Sequence, residues 1–342
     1  MKKILVVLLI AVIGLGVWYL IYTSGNYVAK VGNSKIENHE YMFFLLVQKI
    51  TTESEAGAFD EQAKKELWEN PEEGEDPIVI VMNQALENAK ELEIQLIKAK
   101  EANFKLSSEE RKNIQQYLNN MLKIESNVRY VKEDLGLSLS KFSDIVWKSE
   151  LAGSFANYLM EKESDSVTVS EEEAKAYYEN NKSAIDEFTV RYLVLLTGNL
   201  TEEQKTEKKK LADDLLTRIK NGEDMAALVR EYSEDSESKE NDGLFTFLYE
   251  DESFETELKD WASGSKTGES AVVETRTGIY VARLENKKGF DDKKAQIVST
   301  IKSQKLNEFY YDQLEEWKND PEYNLVKNEK VLNKITDKVF SK

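Results

Sequence analysis

The stretch from Phe188 to Phe290 constrains the fold of this chain most, because strand and helix patterns alternate along it in a definite order. An apolar strand pattern runs from Phe188 to Leu196, and its β-branched and aromatic residues favour a sheet. A charged helix pattern follows from Thr201 to Lys220, and a shorter one runs from Asp224 to Tyr232. Residues 271–284 then form two strand patterns around a Thr-Gly pair, which predicts a β-hairpin. This order predicts an α+β unit.

Short motifs mark the same stretch. Between the helices and the hairpin we expect a polar loop over residues 233–243 and a helical turn from Phe254 to Trp261. The motifs are Tyr232-Ser-Glu-Asp235, Asp242-Gly243-Leu244, Ser253-Phe254-Glu255, Gly268-Glu269-Ser270 and Thr277-Gly-Ile-Tyr280. In this order they resemble the parvulin family of peptidyl-prolyl cis-trans isomerases. The resemblance implies an inserted antiparallel sheet-and-helix domain and an activity on X-Pro peptide bonds that uses no cofactor.

The resemblance also implies which residues form the active site. Parvulins hold two histidines on neighbouring central strands, and Tyr192 and Tyr280 occupy these positions here. Asp235 matches the acidic position that faces them, so these three residues are the predicted catalytic groups. Phe254 matches the phenylalanine that cups the proline ring. The further apolar residues that we assign to the peptide groove are Leu244, Phe245 and Trp261.

Two tyrosines in place of two histidines leave two interpretations of function open. A phenol both donates and accepts hydrogen bonds, so paired tyrosines could keep a hydrogen-bonded floor and an isomerase activity. A phenol does not titrate near neutral pH as imidazole does, so a mechanism that needs imidazole would be lost. The first interpretation is an active isomerase. The second is a chaperone or scaffold that holds peptides without turning them over.

The same residues also have purely structural interpretations. Tyr192 and Tyr280 are residue types that strands favour in any case. Asp235 could serve a turn, because aspartate commonly accepts hydrogen bonds from the backbone just after it. Phe254 and Trp261 are seven residues apart on a predicted helix and could belong to the core. We interpret His39, between two polar residues near a predicted helix start, as a solvated side chain that has no catalytic role.

One motif departs from the parvulin pattern. The Gly-Gly-Asp-Leu-Gly segment of the family appears here as Asp242-Gly243-Leu244-Phe245-Thr246, in which one residue of the family's loop is missing and one glycine, Gly243, is retained. This departure affects the alignment of the loop that precedes the strand. We expect the strand itself to be intact.

The amino terminus carries a candidate membrane anchor. Lys2 and Lys3 precede Ile4 to Tyr22, an uncharged and almost wholly apolar run of 19 residues. That length spans a bilayer as a helix, and the lysines would stay on the cytoplasmic side. We therefore expect residues 1–25 to form a transmembrane anchor in the cell membrane, with the bulk of the chain extracytoplasmic. A cleaved signal peptide is the alternative.

Helical patterns dominate the remainder of the chain. They predict a helical domain over residues 26–185, with capping boxes at Ser107 and Ser170. A long apolar-striped helix after residue 290 needs a partner, so we expect residues 290–342 to complete that domain. Residues 186–289 would then be a parvulin-like insertion, a layout that resembles the PrsA/SurA-type foldases of bacteria. We also expect a terminal strand from residues 323–326 and 331–335.

Composition narrows the possible partners. A formal net charge of −18 argues against a nucleic-acid-binding face, which needs basic residues. The chain has no cysteine and one histidine, so disulfides are excluded and a transition-metal cluster is not expected. The foldase resemblance implies unfolded or partly folded exported polypeptides with X-Pro segments as partners, and the sequence leaves the oligomeric state undetermined.

Overall fold

The computed structural model describes residues 25–69 and 76–340 of the chain. The chain divides into two compact units: a helical unit from residues up to 166 together with 306 onwards, and a sheet unit from residues 167–305. The predicted anchor lies outside the described residues, apart from residue 25. Within residues 25–69 and 76–340, none of the helices is both long enough and apolar enough to cross a bilayer.

The elements follow one another along the chain in three groups. Up to residue 166 they are β1 (Tyr27–Val31), β2 (Ser34–Glu37), α1 (Asn38–Glu55), α2 (Glu61–Glu69), α3 (Pro77–Glu101), α4 (Ser108–Met121), α5 (Glu125–Arg129), a π-helical turn (Tyr130–Asp134) and α6 (Leu139–Glu163). The next are α7 (Glu171–Asn180), α8 (Lys182–Ile185), β3 (Glu187–Leu196), α9 (Glu202–Lys220), α10 (Met225–Tyr232), α11 (Ser236–Glu240), β4 (Leu244–Leu248), α12 (Thr256–Gly264), β5 (Ser270–Glu274) and β6 (Gly278–Lys288). The last are α13 (Phe290–Asn319), a 3-10 turn (Pro321–Tyr323), β7 (Leu325–Lys327) and α14 (Glu329–Phe340).

Both predicted capping boxes are present. Ser107 Oγ accepts a hydrogen bond from the backbone N–H of Glu110 at 3.1 Å, and Glu110 Oε2 accepts one from the backbone N–H of Ser107 at 2.6 Å. Ser170 and Glu173 make the same exchange at the start of α7. Each box satisfies two backbone donors that the first helical turn leaves free, which fixes where α4 and α7 begin.

A small sheet joins the two ends of the helical unit. Its strand order is β2-β1-β7, and Ala29 of β1 lies opposite Lys327 of β7. The first part of the predicted terminal strand, residues 323–326, is confirmed at residues 325–326, which belong to β7. The second part, residues 331–335, is wrong, because this segment belongs to α14. Val331, Ile335 and Val339 recur every four residues and pack on the core, which is helical spacing.

The second half of α13 packs on the preceding helices of the helical unit. Tyr310 and Leu314 form a buried cluster with Ala156 of α6. The Tyr310 hydroxyl also donates a hydrogen bond to Gln95 Oε1 of α3 at 2.7 Å. The preceding helices α3 and α6 thus supply the long carboxy-terminal helix with its apolar partner. The helical unit is thus built from both ends of the chain, and residues 167–305 form an insertion.

The sheet unit contains an antiparallel four-stranded sheet in the order β4-β3-β6-β5. The predicted hairpin is confirmed as β5 and β6, with Val272 opposite Val281. Side chains of a strand alternate between its two faces. We call the side that packs against α9 and α10 the sealed face and the side that packs against α12 the groove face. The sealed face includes Leu193, Leu195, Ile279 and Val281, and the groove face includes Phe188, Val190, Ala282 and Leu284.

The segment before β4 is partly helical where a loop was predicted, and its backbone geometry requires glycine at residue 243. Residues 236–240 form α11, whereas the sequence predicts a loop throughout. Gly243 has a φ of +75°, and a Cβ at this position would lie 2.3 Å from the carbonyl oxygen of Tyr192. The N–H of Tyr192 donates to the Gly243 carbonyl at 2.9 Å. A side chain cannot fit between these backbones, so glycine allows β4 to start beside β3 despite the shortened loop.

Candidate functional site

The two tyrosines lie side by side on the groove face. Tyr192 is opposite Ala282, and Val194 is opposite Tyr280, so the tyrosines occupy diagonal positions on neighbouring central strands. Diagonal neighbours are within reach of aromatic side chains. Their ring centroids are 5.6 Å apart with an interplanar angle of 46°. The sequence therefore places both phenols in one floor, as the resemblance implies for the histidine positions.

Phe254 sits over this floor within a group of aromatic rings. Its centroid lies 4.6 Å from that of Phe245, 4.7 Å from that of Phe247 and 5.8 Å from that of Tyr192. Phe254, Tyr192 and Trp261 are partly buried and pack against both apolar clusters of the groove face. We call Tyr192, Phe245, Phe247, Phe254 and Trp261 the aromatic cup. Such a partly covered apolar surface suits the ring of a proline better than it suits solvent.

Asp235 caps the start of α11, and its carboxylate also affects the pKa of the Tyr192 phenol. Its carboxylate accepts hydrogen bonds from the backbone N–H groups of Ser238 at 2.8 Å and Glu237 at 3.3 Å, so it is the cap of that helix. Burial raises the pKa of the Tyr192 phenol above its usual value, and the negative charge of Asp235 and a hydrogen bond to it raise the pKa further. The structural role and the predicted position facing the floor thus belong to the same side chain.

The Tyr280 hydroxyl belongs to a short chain of polar groups. It lies 3.3 Å from the Thr277 hydroxyl oxygen, which donates to Glu255 Oε1 at 2.5 Å. Tyr280 is 9% exposed, and burial is the main cause that raises the pKa of its phenol. The negative charges of the Glu255 and Asp235 carboxylates raise the pKa further. Both floor phenols are therefore neutral around pH 7.

Leu244 is the one predicted groove residue that does not join the others. It is opposite Arg191, which neighbours Tyr192 along β3 and so points to the other face. Phe245, one residue further, is opposite Val190 on the groove face. Since strand side chains alternate, Leu244 and Phe245 cannot share a face. Leu244 is 39% exposed on the side away from the cup, and Phe245 and Trp261 lie in it.

Three residues of the site have no role in the sequence-based prediction. Phe247 follows Phe245 at the strand period of two, so this spacing was available as a signal for it. Glu255 and Thr277 lie within two of the motifs that carry the parvulin resemblance. Nothing in their local sequence indicates that they meet, because the contact joins the start of α12 to the turn between β5 and β6.

His39, predicted to be solvated, is 8% exposed, and this prediction is wrong. Its imidazole nitrogens lie 3.3 Å from Glu37 and 3.3 Å from Asp144 of α6. His39, Glu40 and Asp144 place possible metal-ligand atoms close together. The Lys148 ammonium contacts Glu40 and lies 3.8 Å from Asp144. A cationic side chain thus already pairs with both carboxylates, which makes this cluster a partly buried ion-pair network of the helical unit.

Comparison with known proteins finds sequence similarity over the sheet unit and over most of the chain. A family model described as the PPIC-type PPIASE domain matches residues 175–288. The foldase protein PrsA of Clostridium botulinum strain Langeland is 26% identical over 330 residues, which cover 91% of this chain and 94% of the relative. The PrsA of Caldanaerobacter subterraneus subsp. tengcongensis is 27% identical over 298 residues, which cover 86% and 85%.

Solved structures give matches of the same kind. A crystal structure of a PpiC-type peptidyl-prolyl cis-trans isomerase domain matches 30% of this chain and 93% of its own, with 26% identity and a TM-score of 0.28. The foldase protein PrsA from Lactococcus lactis matches 92% of this chain and 98% of its own, with 12% identity and a TM-score of 0.37.

Proposed function

Because this chain belongs to the parvulin-type foldases of the PrsA family, we propose that it is a membrane-anchored peptidyl-prolyl isomerase. It acts outside the cytoplasm and assists the folding of exported polypeptides. The helical unit binds unfolded segments, and the sheet unit acts on their X-Pro bonds. The observation that carries this proposal is the aromatic cup around Phe254 above the paired phenols of Tyr192 and Tyr280.

The cup supplies the physical means for isomerisation. Rotation about a peptide bond meets a barrier of about 18–20 kcal/mol. A catalyst lowers the barrier when it binds the twisted amide better than the planar one. Contact of the proline ring with Phe245, Phe247 and Phe254 removes water from the amide. The neutral phenols then offer hydrogen-bonding oxygens beside it, which matters more in an apolar groove than in water.

A second function has its own support. The two floor positions carry phenols that stay neutral, so no group of the floor pair exchanges a proton near pH 7. A groove of this kind can hold an X-Pro segment without accelerating its rotation. The protein would then be a peptide-binding chaperone or scaffold that retains the parvulin fold.

Measured turnover separates the two functions. The rate of cis-trans exchange of a proline tetrapeptide set would be followed by exchange NMR with the full chain in mild detergent. We expect acceleration that falls at least tenfold in Tyr192→Phe and Phe254→Ala. The control is Tyr117→Phe, an exposed tyrosine of the helical unit, which should match the wild type. Binding without acceleration in the wild type would establish the second function.

The location outside the cytoplasm rests on the apolar run of residues 4–22 and the two lysines before it. Fractionation of expressing cells would test it. We expect the full chain in the membrane fraction and accessible to protease from outside. Deletion of residues 1–25 should release it, and recovery of the full-length gene product as a shortened soluble protein would show cleavage of the signal instead.

A further inference from the structure

We propose that Thr277 and Glu255 are positioning residues that direct the Tyr280 hydroxyl, so that this phenol meets a bound peptide as a hydrogen-bond acceptor. The inference rests on the proposed function, because it concerns the groove in which the X-Pro segment would lie. It assigns a role to two residues outside the positions that the parvulin resemblance supplies. It also identifies the peptide N–H group that would donate a hydrogen bond to the Tyr280 oxygen.

The direction of the hydrogen bonds follows from counting hydrogens. Thr277 Oγ1 lies 2.5 Å from Glu255 Oε1 and 3.3 Å from the Tyr280 hydroxyl oxygen. A carboxylate accepts hydrogen bonds and has none to donate, whereas a threonine hydroxyl carries a single hydrogen. Thr277 therefore donates to Glu255. The remaining contact is a hydrogen bond only when Tyr280 donates to Thr277, so the phenol hydrogen points towards the hairpin turn.

The backbone holds this chain of groups in place. Glu255 is the residue before α12, yet among the described residues its side chain caps no N–H of that helix and reaches Thr277 instead. The Thr275 hydroxyl oxygen accepts from the N–H groups of Thr277 and Gly278 at 3.2 and 3.3 Å, which ties the turn together. A Cβ at Gly278 would lie 2.8 Å from the Leu195 carbonyl oxygen, so the turn is pressed against β3.

This orientation determines what the floor can recognise. With its hydrogen directed to Thr277, Tyr280 presents only lone pairs to the groove. Proline has no N–H, so the donors that a bound peptide can offer are the N–H groups of the residues next to proline. The N–H of the residue after proline is the group that we assign to the Tyr280 oxygen.

The test uses a double-mutant cycle in the full chain. Thr277→Val and Glu255→Gln would each be made in the Tyr280 and in the Tyr280→Phe background, with Thr277→Ser as the conservative variant. Loss of one oriented hydrogen bond is worth about 1 kcal/mol, and the peptide N–H already meets Tyr280 in the bound state, so Thr277→Val should raise KM about fivefold at unchanged kcat. Thr277→Ser should keep the wild-type KM. In the Tyr280→Phe background Thr277→Val should have no effect.

Equal increases in KM in both backgrounds would overturn the proposal, because Thr277 would then act through the fold and not through Tyr280. So would a Thr277→Ser variant whose KM is raised as much as that of Thr277→Val. A second readout does not depend on turnover. With ¹³Cζ-labelled tyrosine, Thr277→Val and Glu255→Gln should shift the Tyr280 resonance, and Glu255→Gln should move its titration to lower pH. An unshifted resonance would contradict the contact.

Peptide binding tests the acceptor role itself. A proline tetrapeptide methylated at the nitrogen after proline should bind the wild type about fivefold more weakly than its parent, because one hydrogen bond is lost. In Tyr280→Phe the two peptides should bind equally. An equal penalty in both proteins would overturn the assignment of that N–H. If the wild type binds the peptide without turnover, the proposed isomerase activity is refuted. The peptide-binding and tyrosine-resonance measurements would still test the role of Thr277 and Glu255.

Discussion

The sealed face and the groove face of the four-stranded sheet are built by alternate residues of the same strands, yet they differ in chemistry. On the sealed face, Leu193, Leu195 and Val281 are at most 1% exposed beneath α9 and α10. On the groove face, Tyr192, Phe245 and Phe254 are only partly buried. The sealed face is closed throughout, whereas the groove face has a buried base that includes Val190, Ala282 and Leu284 and adds partly exposed aromatic rings to it.

The difference separates stability from binding. Buried aliphatic side chains contribute most when no water reaches them. Partly exposed aromatic rings keep apolar area available, and the polar groups beside them can serve a ligand. A substitution on the sealed face should therefore lower the free energy of unfolding. A substitution in the partly exposed aromatic rings of the groove face should instead lower peptide turnover.

The largest effect is expected on the sealed face. Leu215→Ala removes a side chain of α9 that is 0% exposed and belongs to the buried cluster against the sealed face. The cavity and the lost apolar contact should reduce the free energy of unfolding of the sheet unit by about 3–5 kcal/mol. Urea unfolding would measure it. Leu196→Ala, at an end of β3 where the side chain is 44% exposed, is the matched control and should cost less than about 1 kcal/mol. Equal costs would contradict the distinction between the faces.

The next effect is expected in the cup. Phe254→Ala should lower peptide turnover at least tenfold, because the rings of Phe245 and Phe247 lose their partner over the groove. Since Phe254 is only partly buried, the free energy of unfolding should fall by roughly 1–2 kcal/mol, below the value for a fully buried residue. Phe254→Leu should recover part of the turnover. A stability loss as large as that of Leu215→Ala would place Phe254 in the core instead.

The pH dependence of turnover should be flat where an imidazole floor would titrate. The pKa values of Tyr192 and Tyr280 are raised above the ordinary phenol value of 10.0, chiefly by burial. An acid with a raised pKa keeps its proton to higher pH, so both phenols stay neutral from about pH 6 to pH 9. Turnover measured over this range should not follow a titration with a midpoint near 6.5. Such a midpoint would show that a group outside the floor controls the rate.

The smallest effect is expected away from both faces. Glu171 makes ion pairs with Lys175 at 2.8 Å and Lys294 at 3.0 Å, and they lower its pKa from 4.5 to about 2. A lowered pKa means that the stabilisation is present above about pH 4.5 and is lost as the pH falls towards 2. Glu171→Gln should lower the urea midpoint slightly at pH 7, and not at pH 2 or in 1 M salt. A change that persists in salt would point to a structural role for this side chain.

Local patterns were sufficient for the hairpin of β5 and β6 and for both capping boxes. The positions of Tyr192, Tyr280, Asp235 and Phe254 came from the resemblance of short motifs to parvulins, and the structure brings the three aromatic rings together. The roles of these residues in catalysis remain a prediction. Whether Leu244 or Phe245 faces the groove depends on the register with β3, which a shortened loop leaves open.

Contacts between distant segments account for what the sequence did not reveal. His39 is buried because Asp144 and Lys148 of α6 meet it and its neighbour Glu40 from more than a hundred residues away. Residues 331–335 suit a strand or a helix, since a short apolar run does not distinguish the two. The contact of Glu255 with Thr277 likewise depends on how α12 meets the hairpin turn.

The pairing of β1 with β7 determines the order in which this chain can fold. Ala29 needs Lys327 as its partner, so the helical unit cannot complete its small sheet until nearly the whole chain has been synthesised. The sheet unit is continuous in sequence, and Lys305 Nζ donates to the carbonyl oxygen of Thr168 at 3.0 Å. Once that unit has folded, its entry and exit are neighbours.

A folded insertion then replaces a long flexible loop by a short connection. The entropy of closing a loop grows with the logarithm of its length, and folding residues 167–305 first roughly halves the flexible loop between β1 and β7, so it lowers the cost of joining them by about 0.6 kcal/mol. The sheet unit should therefore fold first and help the two ends of the chain find each other. Under the proposed function, the sheet unit that would act on peptides would be ready before the helical unit that surrounds it in sequence.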